Sequence, residues 1–334
     1  MLWSKPSLRK IPVNEISLRL HDTIRMKRKP PRLEKLTTEQ RNRASTDLDL
    51  KSGREIARII NHEDAKVPSA VAQALPQIGR AIDLIAAQLR KGGRLIYVGT
   101  GTSGRVGALD ASECAPTFGV DPGKMQFMIA GGTRALAVAV EASEDSRELG
   151  RSDMAKRKPG KNDVIVGVAA SGRTPYTIAA LEYARARGAQ TIAVTCNHDS
   201  QLERAAHFGI VTEVGPEVLA GSSRMKAGSA QKMVLNMLST GAMAKMGYIY
   251  GNLMVNLHLK NVKLAARGIS IVQWAVGLDR EAARSALKAA GNDVPVALVM
   301  LKAGVTRAQA AKALKTTSGH VRKAIVLAQK KIRE

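Results

Sequence analysis

Five short apolar runs constrain this chain more than anything else in it. They are 94–98, 125–130, 164–169, 191–195 and 208–214, and helix-length segments separate them. Runs of this length, rich in Val and Ile and not alternating with polar residues, suit strands buried on both faces. Strands alternating with helices predict an α/β fold: a central parallel sheet in three α/β/α layers. The helical pattern starts before the first run. Val71, Ala74, Leu75, Ile78, Ile82, Ile85 and Leu89 recur at three- and four-residue spacing, which predicts one helix, capped by Asp64 or Ser69. A long helix is expected over 228–247, with its Met and Leu side chains in the core. Beyond about residue 267 the texture changes to short helical segments, with Asp279, Asp293 and Thr306 as caps. A small helical C-terminal module over 267–334 is therefore expected, after a main domain over 37–266.

Composition excludes several classes. Hydrophobic residues make up 45% and charged residues 24% of the 334, which is globular rather than disordered. No apolar run is long enough for a membrane helix, and the N-terminus lacks an apolar signal core. Two cysteines, Cys114 and Cys196, rule out a disulfide scaffold and fit a reducing cytoplasm. The six histidines show no metal-ligand spacing, and Cys114 has no histidine near it in sequence to activate it. The net charge is +24, concentrated at the ends: residues 1–36 carry ten Lys/Arg against three acids. That segment, broken at Pro30-Pro31, is read as a basic, unpacked extension, with Met26 as an alternative start. The charge invites nucleic acid, and residues 306–323 have a helix-turn-helix outline. With few aromatic residues and no further signal, a basic solvated surface is the simpler reading, and nucleic acid is not the expected partner.

Two loops carry the chemistry. The first strand runs into Gly99-Thr100-Gly101-Thr102-Ser103-Gly104, and the third into Ala169-Ala170-Ser171-Gly172-Arg173-Thr174-Pro175. Glycines let the backbone approach an anion, a following helix presents free N–H groups, and hydroxyls add donors. Gly99, Gly101 and Gly104 also satisfy a dinucleotide spacing, but a hydroxyl-rich loop suits a terminal phosphate monoester better. Loops of this kind also occur as ligand-free turns. Two of them at strand ends of one sheet argue for one phosphate, held by Thr102, Ser103, Gly104, Ser171, Gly172 and Thr174.

These paired loops resemble a sugar-isomerase (SIS) domain. Further words narrow the resemblance: Thr38-Glu39-Gln40-Arg41-Asn42, Ala111-Ser112-Glu113-Cys114, Ala139-Val140-Glu141 and Glu144-Asp145-Ser146-Arg147-Glu148. Others are Gly215-Pro216-Glu217 through Gly221-Ser222-Ser223-Arg224-Met225-Lys226-Ala227-Gly228 and Ala230-Gln231-Lys232. Together, from about residue 37 to about 315, they resemble the N-acetylmuramic acid 6-phosphate etherases. Ala115, Arg43 and Ala142-Ser143 depart from the family pattern without removing a catalytic group.

The resemblance implies a carbon–oxygen lyase that removes a D-lactyl ether from C3 of a phosphosugar. It implies a homodimer with neither metal nor redox cofactor. Glu113 and Glu144 match the family's catalytic glutamates. Glu113 is expected as the acid on the leaving oxygen, and Glu144 in proton abstraction or in orienting the sugar. Glu144 stands in an acidic run with Glu141, Asp145 and Glu148, whose ordinary fate is a solvated face. Glu217 is expected to bind hydroxyls or assist ring opening, with a structural role as the alternative. Arg224 and Lys226 are candidates for charge neutralisation or for the surface. A phosphosugar sensor similar to the glucokinase regulatory proteins, or a DNA-binding regulator built on the same domain, are the rival readings.

Overall fold

The computed structural model describes residues 36–257, 259 and 261–333, without the side chains of 331–333. The expected basic extension lies outside the described residues up to residue 35, and Leu36 is buried. All five apolar runs form strands: β1 (Leu95–Gly99), β2 (Met125–Ile129), β3 (Val164–Val168), β4 (Gln190–Thr195) and β5 (Phe208–Val211). They pair in the order β2-β1-β3-β4-β5, and every pairing is parallel.

Ahead of the sheet stand α1 (Gly53–Asp64), α2 (Val67–Gln73) and α3 (Leu75–Arg90). The single helix expected here is broken at Ala74, because Pro68 and Pro76 each occupy a first turn. Proline suits that place and disfavours most interior ones. Asp64 closes α1 rather than opening the next helix. Ser52 caps α1 in a reciprocal box with Glu55, whereas α2 follows Lys66 and α3 follows Ala74 without a side-chain cap, and Ser69 lies inside α2. Between and after the strands come α4 (Gly101–Phe118), α5 (Arg147–Arg157), α6 (Pro175–Ala186), α7 (Gln201–Ala205) and α8 (Lys226–Met246).

Side chains alternate across the strands, so the sheet feeds two cores. Leu95, Tyr97, Val164, Val166, Ile192 and Val194 pack with α2, α3, α4 and α8. Ile96, Val98, Ile165 and Ala193 pack with α5, α6 and α7. The three layers expected from the sequence are present. A third core joins Val255 to Ala328 through α9 (Val262–Val276), α10 (Arg280–Ala289), α11 (Val294–Ala303), α12 (Arg307–Thr316) and α13 (Val321–Arg333). Asp279, Asp293 and Thr306 cap α10, α11 and α12 as expected. α9 runs across the expected 266/267 boundary, because its cap is Asn261 and its apolar face already belongs to the third core. Among the described residues no helix is long and apolar enough to cross a membrane.

Candidate functional site

Register decides where the loops meet. Gly99 pairs with Ile129 on one side and Val168 on the other, so β1, β2 and β3 end level. The connection from β1 leads outward to β2, and the connection from β2 crosses back past β1 to β3. The strand order therefore reverses at the β1/β3 boundary, where open α/β sheets form a ligand crevice. Both hydroxyl-rich loops sit there. The first becomes the opening turn of α4, which starts at Gly101, and first-turn amides have no partner within their own helix. The second leads into α6, whose cap residue Thr174 makes no side-chain capping bond, so its hydroxyl is not used there.

Gly172 shows how tightly the second loop is built. Its φ is +67°, and a Cβ there would stand 2.4 Å from the Ser200 side chain and 2.8 Å from Thr195 Oγ1. Its carbonyl accepts from Leu202 N, tying this loop to the start of α7. Gly172→Ala is expected to displace the loop and lower stability by about 1–3 kcal/mol. Thermal unfolding would read the effect.

Glu144 closes the crevice. It is half-buried, unlike its exposed neighbours Glu141, Asp145 and Glu148. Its carbonyl accepts from Tyr176 N at the start of α6. Its Oε1 lies 3.2 Å from where a Cβ on Gly101 would be. Glu144 thus has its backbone tied to the start of α6 and its carboxylate beside the first loop, where Gly101, at φ +48°, leaves it room.

Glu113 does not join it within one chain. It is exposed, beside Ser112 and the half-exposed Leu109 on the outer face of α4. Glu113 lies twelve positions beyond Gly101, about 18 Å of helix at 1.5 Å per residue. A glutamate side chain does not span that distance.

Glu217 is not open to ligand. It is fully buried, and its two carboxylate oxygens accept from Lys226 N and Ala227 N at 2.9 Å each. Burial pushes its carboxyl up, while those amides and the Lys226 charge pull it down. The expected contact with sugar hydroxyls is replaced by a cap on α8, supplied from nine residues upstream because Met225 makes no side-chain capping bond. A cap from that distance has no local signature in the sequence. Lys226 is likewise buried, with Nζ 2.7 Å from Glu63 Oε2. Arg224 is exposed.

Cys114 is buried, and its thiol donates to the Asp110 carbonyl. Burial and the Asp110 charge push it up to about 12, so it packs and does not attack. Among the described residues, no three His, Cys, Asp or Glu side chains converge as metal ligands do.

The word Thr38–Asn42 also gains a place. Asn197, after β4, binds Thr37 N, both threonine hydroxyls and the Ala170 carbonyl. This segment therefore straps across the strand ends beside the second loop. Gln231 was not singled out by the sequence, although it stands in the word Ala230-Gln231-Lys232. Its Oε1 accepts from Ser103 Oγ at 2.9 Å, directly behind the first loop.

The profile described as the glucokinase regulatory protein N-terminal SIS domain matches residues 77–185, and the SIS domain profile matches residues 138–241. The chain is 52% identical over 293 residues to the N-acetylmuramic acid 6-phosphate etherase of Escherichia coli O81 (strain ED1a), covering 88% of this chain and 98% of that protein. It is 51% identical, with the same coverage, to the enzyme of that name from Escherichia fergusonii. A phosphoheptose isomerase structure from Francisella tularensis superposes with a TM-score of 0.45 at 17% identity, over 58% of this chain and all of that one.

Proposed function

Since the chain belongs to the N-acetylmuramic acid 6-phosphate etherase family, we propose that its crevice holds the sugar phosphate between the two hydroxyl loops and that Glu144 faces the reacting carbons. The activity is ether cleavage: N-acetylmuramic acid 6-phosphate gives N-acetylglucosamine 6-phosphate and D-lactate, a step in cell-wall sugar recycling.

The chemistry sets what the site must supply. In the open-chain sugar the C1 aldehyde acidifies the C2 proton. A base takes that proton, the C2–C3 double bond forms, and the C3–oxygen bond breaks. An acid gives its proton to the departing lactate oxygen. Water then adds its oxygen to C3 while a proton returns to C2. Two carboxyl groups in different protonation states perform both halves.

Ser103, Ser171 and Thr174 hydroxyls and the opening amides of α4 suit the phosphate, with Thr102, Gly104 and Gly172 shaping the loops around it. Glu144 is the base. The acid is the partner subunit's Glu113, because within one chain the two carboxylates stand too far apart to share a C2–C3 unit. The half-exposed Leu109 beside Glu113 is suited to cover by that second copy, so the working form is a homodimer. The free, buried Cys114 and Cys196 support a reducing, cytoplasmic setting.

One observation carries this reading: a half-buried carboxylate beside the first of two phosphate-type loops, at the point where the strand order reverses. The test is D-lactate release from N-acetylmuramic acid 6-phosphate by the wild type and by Glu144→Gln. Release that survives the substitution unchanged removes Glu144 from the chemistry. Tight phosphosugar binding without release would favour the sensor reading instead.

A further inference from the structure

Ser103 has one hydroxyl proton, and in this structure it points the wrong way for a phosphate. Its Oγ lies 2.9 Å from Gln231 Oε1, so the proton is directed into the protein. A phosphate monoester dianion offers only acceptors, and it needs that proton. Gln231 is 1% exposed, and its Nε2 has no hydrogen-bond partner. A buried amide N–H without an acceptor is unfavourable, so the observed arrangement leaves one donor unsatisfied behind the loop.

We propose that Gln231 is a positioning residue for the phosphate loop, and that its carboxamide turns over when a phosphate monoester binds, changing from acceptor to donor toward Ser103. A half-turn about the last side-chain torsion exchanges oxygen and nitrogen with almost no change of shape, and that torsion is soft. Nε2 then donates to Ser103 Oγ, and the hydroxyl proton is released toward the crevice. The turn exchanges an orphaned N–H for an unpaired carbonyl oxygen, the more readily tolerated of the two, in the same movement that gives the phosphate a donor.

The residues around it are small or apolar and closely packed. Gln231 stands in α8 among the buried Ala227, Ala230, Val234 and Leu235. The methyl of Thr102 packs beside Gly228, 3.3 Å from where a Cβ there would be. The first turn of α4 is thus seated on α8. The role needs a group that both donates and accepts. An ionised glutamate accepts only, and would hold the Ser103 proton inward. A methionine donates nothing and accepts only weakly.

This inference rests on Ser103 being a phosphate ligand, and the experiment separates the two. KM for the phosphosugar and inhibition by inorganic phosphate are measured for Ser103→Ala, Gln231→Met and the double variant, with thermal unfolding as the check on folding. Gln231→Met is expected to raise KM about 3- to 10-fold, the worth of one steered hydrogen bond. Its kcat should change little, because the phosphate is bound equally in ground and transition states. In the Ser103→Ala background the same substitution should cost nothing further.

An equal penalty with and without Ser103, or no penalty at all, overturns the proposal while leaving the phosphate loop standing. If Ser103→Ala changes neither KM nor phosphate inhibition, the loop reading falls and takes this inference with it. Should Gln231→Met fail to fold, Gln231→Glu carries the test. Its KM defect relative to wild type must relax as pH falls and the carboxyl gains a proton to donate. A defect that does not change with pH overturns the proposal.

Discussion

Mixing Glu113→Gln subunits with Glu144→Gln subunits is expected to restore D-lactate release that neither variant shows alone. Each substitution by itself should lower kcat about 100- to 10,000-fold, the usual contribution of a positioned acid or base. A dimer with one subunit of each kind then holds one site with both glutamates intact and one with neither. Random pairing makes half of the dimers mixed, so the recovered activity should be about a quarter of wild type. Co-expression followed by an activity assay reads this directly. Sites built from one chain alone would give no recovery, and that result would place both glutamates in cis. The expectation follows from the length of α4: about 18 Å of helix between Gly101 and Glu113.

The second large effect concerns folding. Lys226 and Glu63 form an ion pair buried on both sides, and Lys66 binds the other Glu63 oxygen. Removing one member strands a buried charge. Lys226→Met should therefore cost about 3–5 kcal/mol of stability, measured by urea unfolding at pH 7. A loss below 1 kcal/mol would show that Lys66 alone satisfies Glu63. Acid dependence gives an independent readout. Burial opposes ionisation of Glu63, but Lys226 and Lys66 outweigh it and hold the carboxyl at about 2, against an ordinary 4.5. A depressed carboxyl contributes stability that is complete above its unfolded value and is lost as pH falls through its folded value. Wild-type stability from this group should thus fade between about 4.5 and 2. In Lys226→Met the loss should begin at higher pH, since one of the two attracting charges is gone.

These two cases show where local reading stops. The strands, the caps at Asp279, Asp293 and Thr306, and the two hydroxyl loops all depend on neighbours close in sequence, and they were legible. The single helix expected across Ala74 was not, although Pro68 and Pro76 were there to be read. Glu217 and Lys226 resemble site residues in a linear motif. Their partners are the backbone at the start of α8 and a side chain 163 positions away, which no local pattern reveals.

Apolar runs buried on both faces required a parallel sheet, and glycine- and hydroxyl-rich strand ends marked the two loops that meet at its switch point. That much was determined by the sequence itself, because backbone conformation and burial are set over a few residues. Only the tertiary structure decided which carboxylate meets the crevice, which is buried under a helix, and which points away from its own chain. Those outcomes depend on strand order and helix length, which place distant residues together or hold close motifs apart.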